Sequence, residues 1–167
     1  IQAANDHFDD HPIEMIAMCL WHLGHFPECA TLRMHLFESS VTKNGADHSE
    51  TCTIALQLAE ALSADNRRID AVPLRRRELA WCRKENGDTD PGTLISIYLL
   101  AIDLRETGEL EEAEVLFREL VTGIQQVDLE SIDFGIESAL GGLATTLEAA
   151  DKLEEAADYA RQCLDHL

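Results

Sequence analysis

The stretch GELEEAEVLFREL, residues 108–120, returns in altered form as DKLEEAADYARQC, residues 151–163. Both place an alanine five residues after the opening residue: Ala113 after Gly108, and Ala156 after Asp151. The same frame recurs toward the start of the chain. Forty-two residues before Gly108 stands Asn66, with Ala71 five on; forty-two earlier again stands Gly24, with Cys29 five on and Ala30 beside it. Upstream of each lies a second shared element, the pairs Ile16-Ala17, Leu58-Ala59, Leu100-Ala101 and Leu143-Ala144. A leucine follows each alanine by three residues: Leu20, Leu62, Leu104 and Leu147. The alanines are spaced 42, 42 and 43 residues apart. Four units therefore share one template, and self-similarity at this period marks a solenoid whose units bury their apolar faces against one another.

Each unit decodes into two helices. In the third, Leu94, Ile97, Leu100, Ala101 and Leu104 recur at intervals of three and four, an amphipathic first helix. Asp90-Pro91 supplies an N-cap and a residue suited to the first helical turn. Gly108 is placed to end that helix in the left-handed conformation, which Asn66 and Asp151 also tolerate at the equivalent positions. The second helix carries Leu110, Ala113, Leu116, Phe117 and Leu120 on one face. Four such hairpins give about eight helices and an all-α fold. Composition agrees: 46% of residues are apolar, only 5% are aromatic, and there are four prolines in 167 residues. The expected units are approximately 6–44, 45–86, 87–128 and 129–167, forming one repeat domain.

The spacing resembles the tetratricopeptide repeat family. Its sequence of a large residue, two spacers, Leu, a small residue, two spacers and another large residue is present as Ile97, Leu100, Ala101 and Leu104. Its Ala-x3-Phe is present as Ala113 and Phe117. The small residues let the two helices of a hairpin cross closely. Ordinary members repeat every 34 residues; the longer period here, with Gly45-Ala-Asp-His-Ser-Glu-Thr51 and Gly87-Asp-Thr-Asp-Pro-Gly-Thr93 between units, is similar to the kinesin-light-chain type. Arg33 and Arg75 fall on the Phe position, which suggests second helices offset by one residue. The resemblance implies a right-handed superhelix whose first helices line a concave surface that takes a peptide or partner helix. Family geometry then puts the groove on His11, Glu14, Met15, Met18, Trp21 and His22 in the first unit, and on Leu56, Gln57 and Glu60 in the second. Tyr98, Leu99, Ile102 and Arg105 follow in the third unit, and Gly141, Gly142, Thr145 and Glu148 in the fourth. The two glycines are expected to let a ligand approach the backbone. These proteins often carry Asn just before the Leu-Ala pair, and this chain does not, so cargo recognition is not carried over.

Chemistry beyond binding finds little support. The formal charge of −19 opposes phosphate contacts, so no nucleic acid is expected. No run of about 18 apolar residues exists to cross a membrane. The beginning shows no basic segment leading into an apolar core, hence no signal peptide is expected, and an opening Ile suggests a fragment or processed form. The five cysteines, at 19, 29, 52, 82 and 163, are odd in number, lack CxxC spacing and lie in apolar helical patterns. They read as small reduced core residues of a cytoplasmic protein. Cys19, His22, His25 and Cys29 cluster tightly but match no common structural zinc spacing, so neither metal nor other cofactor is expected. No nucleophile elbow, phosphate loop or HExxH is present, and no enzyme activity is expected. Glu111, Glu112, Glu154 and Glu155 recur at the starts of second helices, where carboxylates complement the helix dipole.

Charge is nevertheless uneven. Arg67, Arg68, Arg75, Arg76, Arg77, Arg83 and Lys84 fall within eighteen positions, facing only Asp70 and Glu78 there. The reading preferred for this run is neutralisation by neighbouring acidic helices, including Glu109, Glu111, Glu112 and Glu114; the alternative is a docking patch for an acidic partner. The functional expectation is a protein-interaction scaffold. Alternatives are a regulatory or sensory domain of a larger signalling or transcription-related protein, and a self-association module acting through an uncapped last helix. Cys163 and Leu167 close that helix with no polar cap after them, which suggests further sequence in the parent or a partner over this face.

Overall fold

The computed structural model describes residues 11–127 and 135–165. They form eight α-helices and, among the described residues, no strand: α1 (His11–His22), α2 (Phe26–Asn44), α3 (Ser49–Ala64), α4 (Arg68–Asn86), α5 (Pro91–Thr107), α6 (Leu110–Ile124), α7 (Ile136–Ala149) and α8 (Leu153–Asp165). Leu167 lies outside the described residues. The chain divides into two compact units, residues 1–67 and 68–167, so the division falls in the turn between α3 and α4.

One hydrogen-bond pattern ends every first helix. Gly108 N donates to the Arg105 carbonyl and Glu109 N to that of Leu104; the same pair recurs from Gly24 and His25, Asn66 and Arg67, and Asp151 and Lys152. This six-to-one plus five-to-two closure needs a residue with positive φ. Gly108 adopts φ 88°, while Asn66 and Asp151 both reach 61°, a conformation their short polar side chains tolerate better than most. The repeated template is thus a repeated turn. Asp90 caps α5 as expected, its side chain accepting from Gly92 N and Thr93 N.

In the first unit, α2 packs against both α1 and α3. Small residues meet where α1 and α2 cross: the Cys29 thiol donates to the Ala17 carbonyl at 3.3 Å. Ala55, Leu58, Ala59, Ala61 and Leu62 of α3 are buried, and Ser40 of α2 shares a 2.8 Å hydrogen bond with Thr51 of α3. In the second unit, successive helices from α4 to α8 pack on one another, and α5 also touches α7. Its core runs from Val72 and Leu79 through Leu94, Ile97, Leu100 and Leu104 to Phe117, Leu120 and Leu143. Ala101 and Ala144 are buried at the positions that close crossing requires.

Two expectations need correction. The arginines at the Phe position reflect no helical offset. Arg75 and Arg33 are themselves buried, at 3% and 8% exposure, in the register that buries Phe117. Nor are all the cysteines core residues. Cys29, Cys52 and Cys82 are buried, but Cys163 is half-buried and Cys19 exposed. The physical reason for Cys19 is positional: its equivalents Ala61, Asp103 and Thr146 are at most 2% exposed. In the second unit that burial comes from the preceding second helix, since Asp103 of α5 is met by Arg68 and Arg75 of α4.

Candidate functional site

The expected groove residues lie on the first helices, and each unit brings some of them together. In the first unit, Glu14 of α1 and Gln57 of α3 line one cavity of about 210 Å³, together with Leu36, Ser40, Lys43 and Asn44 of α2. Met18, His11 and His22 are exposed, Leu56, Gln57 and Glu60 half-buried. Met15 is 45% exposed. Trp21 is half-buried because it packs on two neighbours. Its ring meets Phe26 edge-on with centroids 5.2 Å apart, and the Arg33 guanidinium carbon lies 5.8 Å from the ring centroid. The Nε and Nη1 of Arg33 are buried without hydrogen-bond partners, so the ring face supplies this cation with an electrostatic contact.

In the second unit, Arg105 of α5 donates from Nη1 to the Thr145 hydroxyl of α7 at 2.8 Å. Residues from neighbouring first helices thereby form one surface. Arg105 also pairs with Glu106, which leaves its charge partly compensated. Tyr98 is half-buried and meets Phe117 edge-on, centroids 6.4 Å apart. Leu99 and Ile102 are half-buried; Thr145 and Glu148 are exposed. The glycines differ. Nothing lies within 4 Å of a Cβ placed on Gly141, whereas the Phe117 ring fills the space beside Gly142. Gly142 therefore serves α6–α7 packing, and only Gly141 leaves the backbone open.

The basic run is largely engaged by carboxylates of its own unit. Arg68 Nη1 and Arg75 Nε donate to the two oxygens of the buried Asp103, at 2.7 and 2.8 Å. Arg75 lies 3.8 Å from the buried Glu78, which also accepts from Ser96 at 2.9 Å. On the outer side, Arg76 reaches Glu109 and Glu112 at 2.6 Å each. These two carboxylates, Glu112 foremost, raise its guanidinium above the usual range. Arg83 pairs with Glu119 and Asp88, and Lys84 with Glu85. Arg67 and Arg77 also have interaction partners. The ladder continues to α8: Arg118 bonds Glu114 and Glu155, and Lys152 bonds Glu114. Glu155 foremost raises the Arg118 guanidinium, while Lys152 and then Arg118 hold the Glu114 carboxyl below its ordinary value despite opposing burial. Glu111, Glu112, Glu154 and Glu155 are exposed in the first turns of α6 and α8.

Sequence reasoning missed Asp103 and its pairing with Arg75. The available signal was an aspartate set between Leu100 and Leu104, within an otherwise apolar stripe, matched by an arginine where the template asks for Phe. Among the described residues, no group of three His, Cys, Asp or Glu is arranged to hold a metal. No helix among them is long and apolar enough to cross a membrane.

Residues 50–126 match the family model described as Tetratricopeptide repeat. A search of curated proteins gives no match. Among solved structures, BtubC (BKLC) from P. vanneervenii is similar with a TM-score of 0.78 at 14% identity, over 94% of this chain. This chain spans 61% of that protein's length. A Podosopora anserina structure, described as a kinesin light chain with nearly identical TPR-like repeats, gives 0.77 at 19% identity over 93% of this chain and 73% of that one. A single-substitution variant of it gives 0.78 with the same identity and coverage. These likenesses establish the fold. Tetratricopeptide repeats generally mediate protein–protein interaction. Residues 50–126, with their turns and buried alanines, thus match tetratricopeptide repeat sequence, and the chain has the fold of the kinesin-light-chain-like repeat structures that it resembles.

Proposed function

We propose that this chain is a protein-interaction scaffold that binds a peptide or partner helix on the surface of its first helices. The observation that carries the reading is the 2.8 Å hydrogen bond from Arg105 to Thr145. It ties two neighbouring first helices into one polar edge beside the half-buried Tyr98, Leu99 and Ile102. In the first unit Trp21, held by Phe26 and Arg33, supplies an aromatic anchor whose orientation is set before a ligand arrives. Met18 adds an adaptable apolar contact beside it. Apolar anchors with a polar edge suit an extended or helical peptide, whose side chains enter the apolar places while its backbone meets the polar groups.

The chain acts by binding rather than catalysis, and its partner is a protein rather than a nucleic acid. The charge of −19 supports the second point, since a phosphate backbone needs a basic surface. The many arginine–carboxylate pairs of α4 with α5 and α6 leave little free positive charge there. A cytoplasmic setting is supported by the five cysteines, none of which is joined in a disulfide.

Peptides selected from a random display library on this chain supply the test. Trp21→Ala should weaken the selected peptides by roughly 2 kcal/mol or more, about thirtyfold in Kd, measured below the variant's own melting temperature. Peptides that bind Trp21→Ala and Tyr98→Ala as tightly as the parent chain would refute the groove.

A further inference from the structure

Arg33 and Arg75 hold the same place in successive repeats, and both are buried, at 8% and 3% exposure. Their surroundings differ. Arg75 donates to Asp103, which also accepts from Arg68, so a carboxylate matches its charge. Forty-two residues earlier, in the register of the repeat, Ala61 stands for Asp103 and Phe26 for Arg68. The first unit thus holds the cation without that carboxylate. Two nitrogens of Arg33, Nε and Nη1, are buried with no hydrogen-bond partner. Its neighbours are aromatic instead: the guanidinium carbon lies 5.8 Å from the centroid of the Trp21 ring, and that ring meets Phe26 edge-on. A ring face attracts a cation, yet it offsets only part of the cost of taking a guanidinium out of water.

A buried charge that nothing neutralises subtracts from stability, whereas an apolar side chain of similar length at the same place does not. Proteins retain such a cost where binding uses the charge. The group that matches a guanidinium best is a carboxylate, because it accepts two parallel hydrogen bonds from the planar fork. This chain already meets the same need with a carboxylate at Arg75. Trp21 is half-buried, so its side chain reaches solvent as well as Arg33. A carboxylate beside the exposed part of that ring lies within charge range of the guanidinium, and the indole N–H is a further donor on the same side chain.

We propose that Arg33 anchors an anion site in the first unit, where a carboxylate from a ligand takes the part that Asp103 plays for Arg75, with Trp21 as its aromatic wall. The ligand is a carboxylic acid, either a free small acid or an acidic side chain of a peptide. The site shares Trp21 with the proposed groove, but its cation belongs to α2, and its test does not depend on a groove peptide.

Melting curves of the parent chain and of Arg33→Met read the site in two ways. Without ligand, Arg33→Met removes an unmatched buried charge and should melt above the parent by roughly 2 °C or more. An arginine that only supports the fold would give the opposite sign. Sodium acetate and acetyl-aspartate amide are the probes, each at about 100 mM against sodium chloride of equal ionic strength and pH. Both should raise the melting temperature of the parent above its chloride value, and by more than they raise that of Arg33→Met. Acetyl-asparagine amide, which keeps the shape without the charge, should leave the parent unchanged. A larger rise from acetyl-aspartate amide than from acetate assigns the carboxylate to a peptide, and the reverse assigns it to a free acid. In the parent itself, the Nε–H resonance of Arg33 should move as either acid is added. An Arg33→Met chain that melts below the parent would overturn the proposal, as would acids that shift both chains alike or an Arg33 resonance that stays in place.

Discussion

Arg75 Nε donates to Asp103 Oδ2 across 2.8 Å, and neither side chain is more than 4% exposed. An arginine thus occupies a place where the neighbouring repeat has Phe117, and the facing helix supplies the charge that makes this tolerable. Burying either ion alone is costly, because desolvation is then uncompensated. Asp103→Ala should therefore destabilise the chain by about 3–5 kcal/mol, read by urea unfolding. The double variant Arg75→Met with Asp103→Leu removes both charges and should recover most of that loss. A single Asp103→Ala variant as stable as the parent would show that the pair is not buried.

Helix crossing makes a second prediction. Ala101 is fully buried where α5 packs, and the Phe117 ring fills the space beside Gly142. Ala101→Leu and Gly142→Ala should each overpack the second unit and cost about 1–3 kcal/mol, seen as lowered melting temperatures. Gly141→Ala meets nothing within 4 Å and, in the middle of α7, should be neutral or slightly stabilising. A melt that ranks Gly141→Ala below Gly142→Ala would contradict the packing described.

Acid sensitivity follows from Glu114. Lys152, followed by Arg118, holds its carboxyl below the ordinary value of 4.5. A carboxyl with a depressed folded value contributes stability that is present above its unfolded value and lost as pH falls through the folded one. Both cations are well exposed, so water screens the gain to about 1 kcal/mol or less. Glu114→Gln should lower stability near neutral pH by that amount and flatten the loss below pH 4.5. Unfolding curves at several pH values measure both, and an unchanged acid limb would remove Glu114 from the account.

Thiol labelling separates the cysteines. Cys19 is exposed and should react quickly with a disulfide reagent in dilute solution. Cys29, Cys52 and Cys82 are buried and should wait for unfolding; for Cys82, burial also pushes the thiol upward, away from the reactive thiolate. Equal rates at all five positions would contradict these burials.

Much of the fold was legible because the template residues act locally. Gly108, Asn66 and Asp151 end helices through their own backbone preferences, and Ala101 and Ala144 mark crossings through size alone. The rest depends on neighbours that the sequence does not place. Arg75 read as a charge in a basic run because its partner, Asp103, is 28 residues away on another helix. Gly142 read as an opening because nothing in the sequence puts Phe117 against it. Cys19 read as core because it lies in an apolar helical pattern, although α1 exposes that face here. The expected groove rests on repeat geometry alone: counting from the Leu-Ala pairs named Arg105 and Thr145, yet not the hydrogen bond that joins them.

The central claim concerns which helices take the ligand, and chemical-shift mapping with a display-selected peptide tests it directly. The account predicts that shifts concentrate on the first helices, with the largest at Tyr98, Arg105 and Thr145 for a peptide held by the second unit and at Met18 and Trp21 for one held by the first. Shifts confined to α2, α4, α6 and α8, with Trp21 and Tyr98 unmoved, would contradict it.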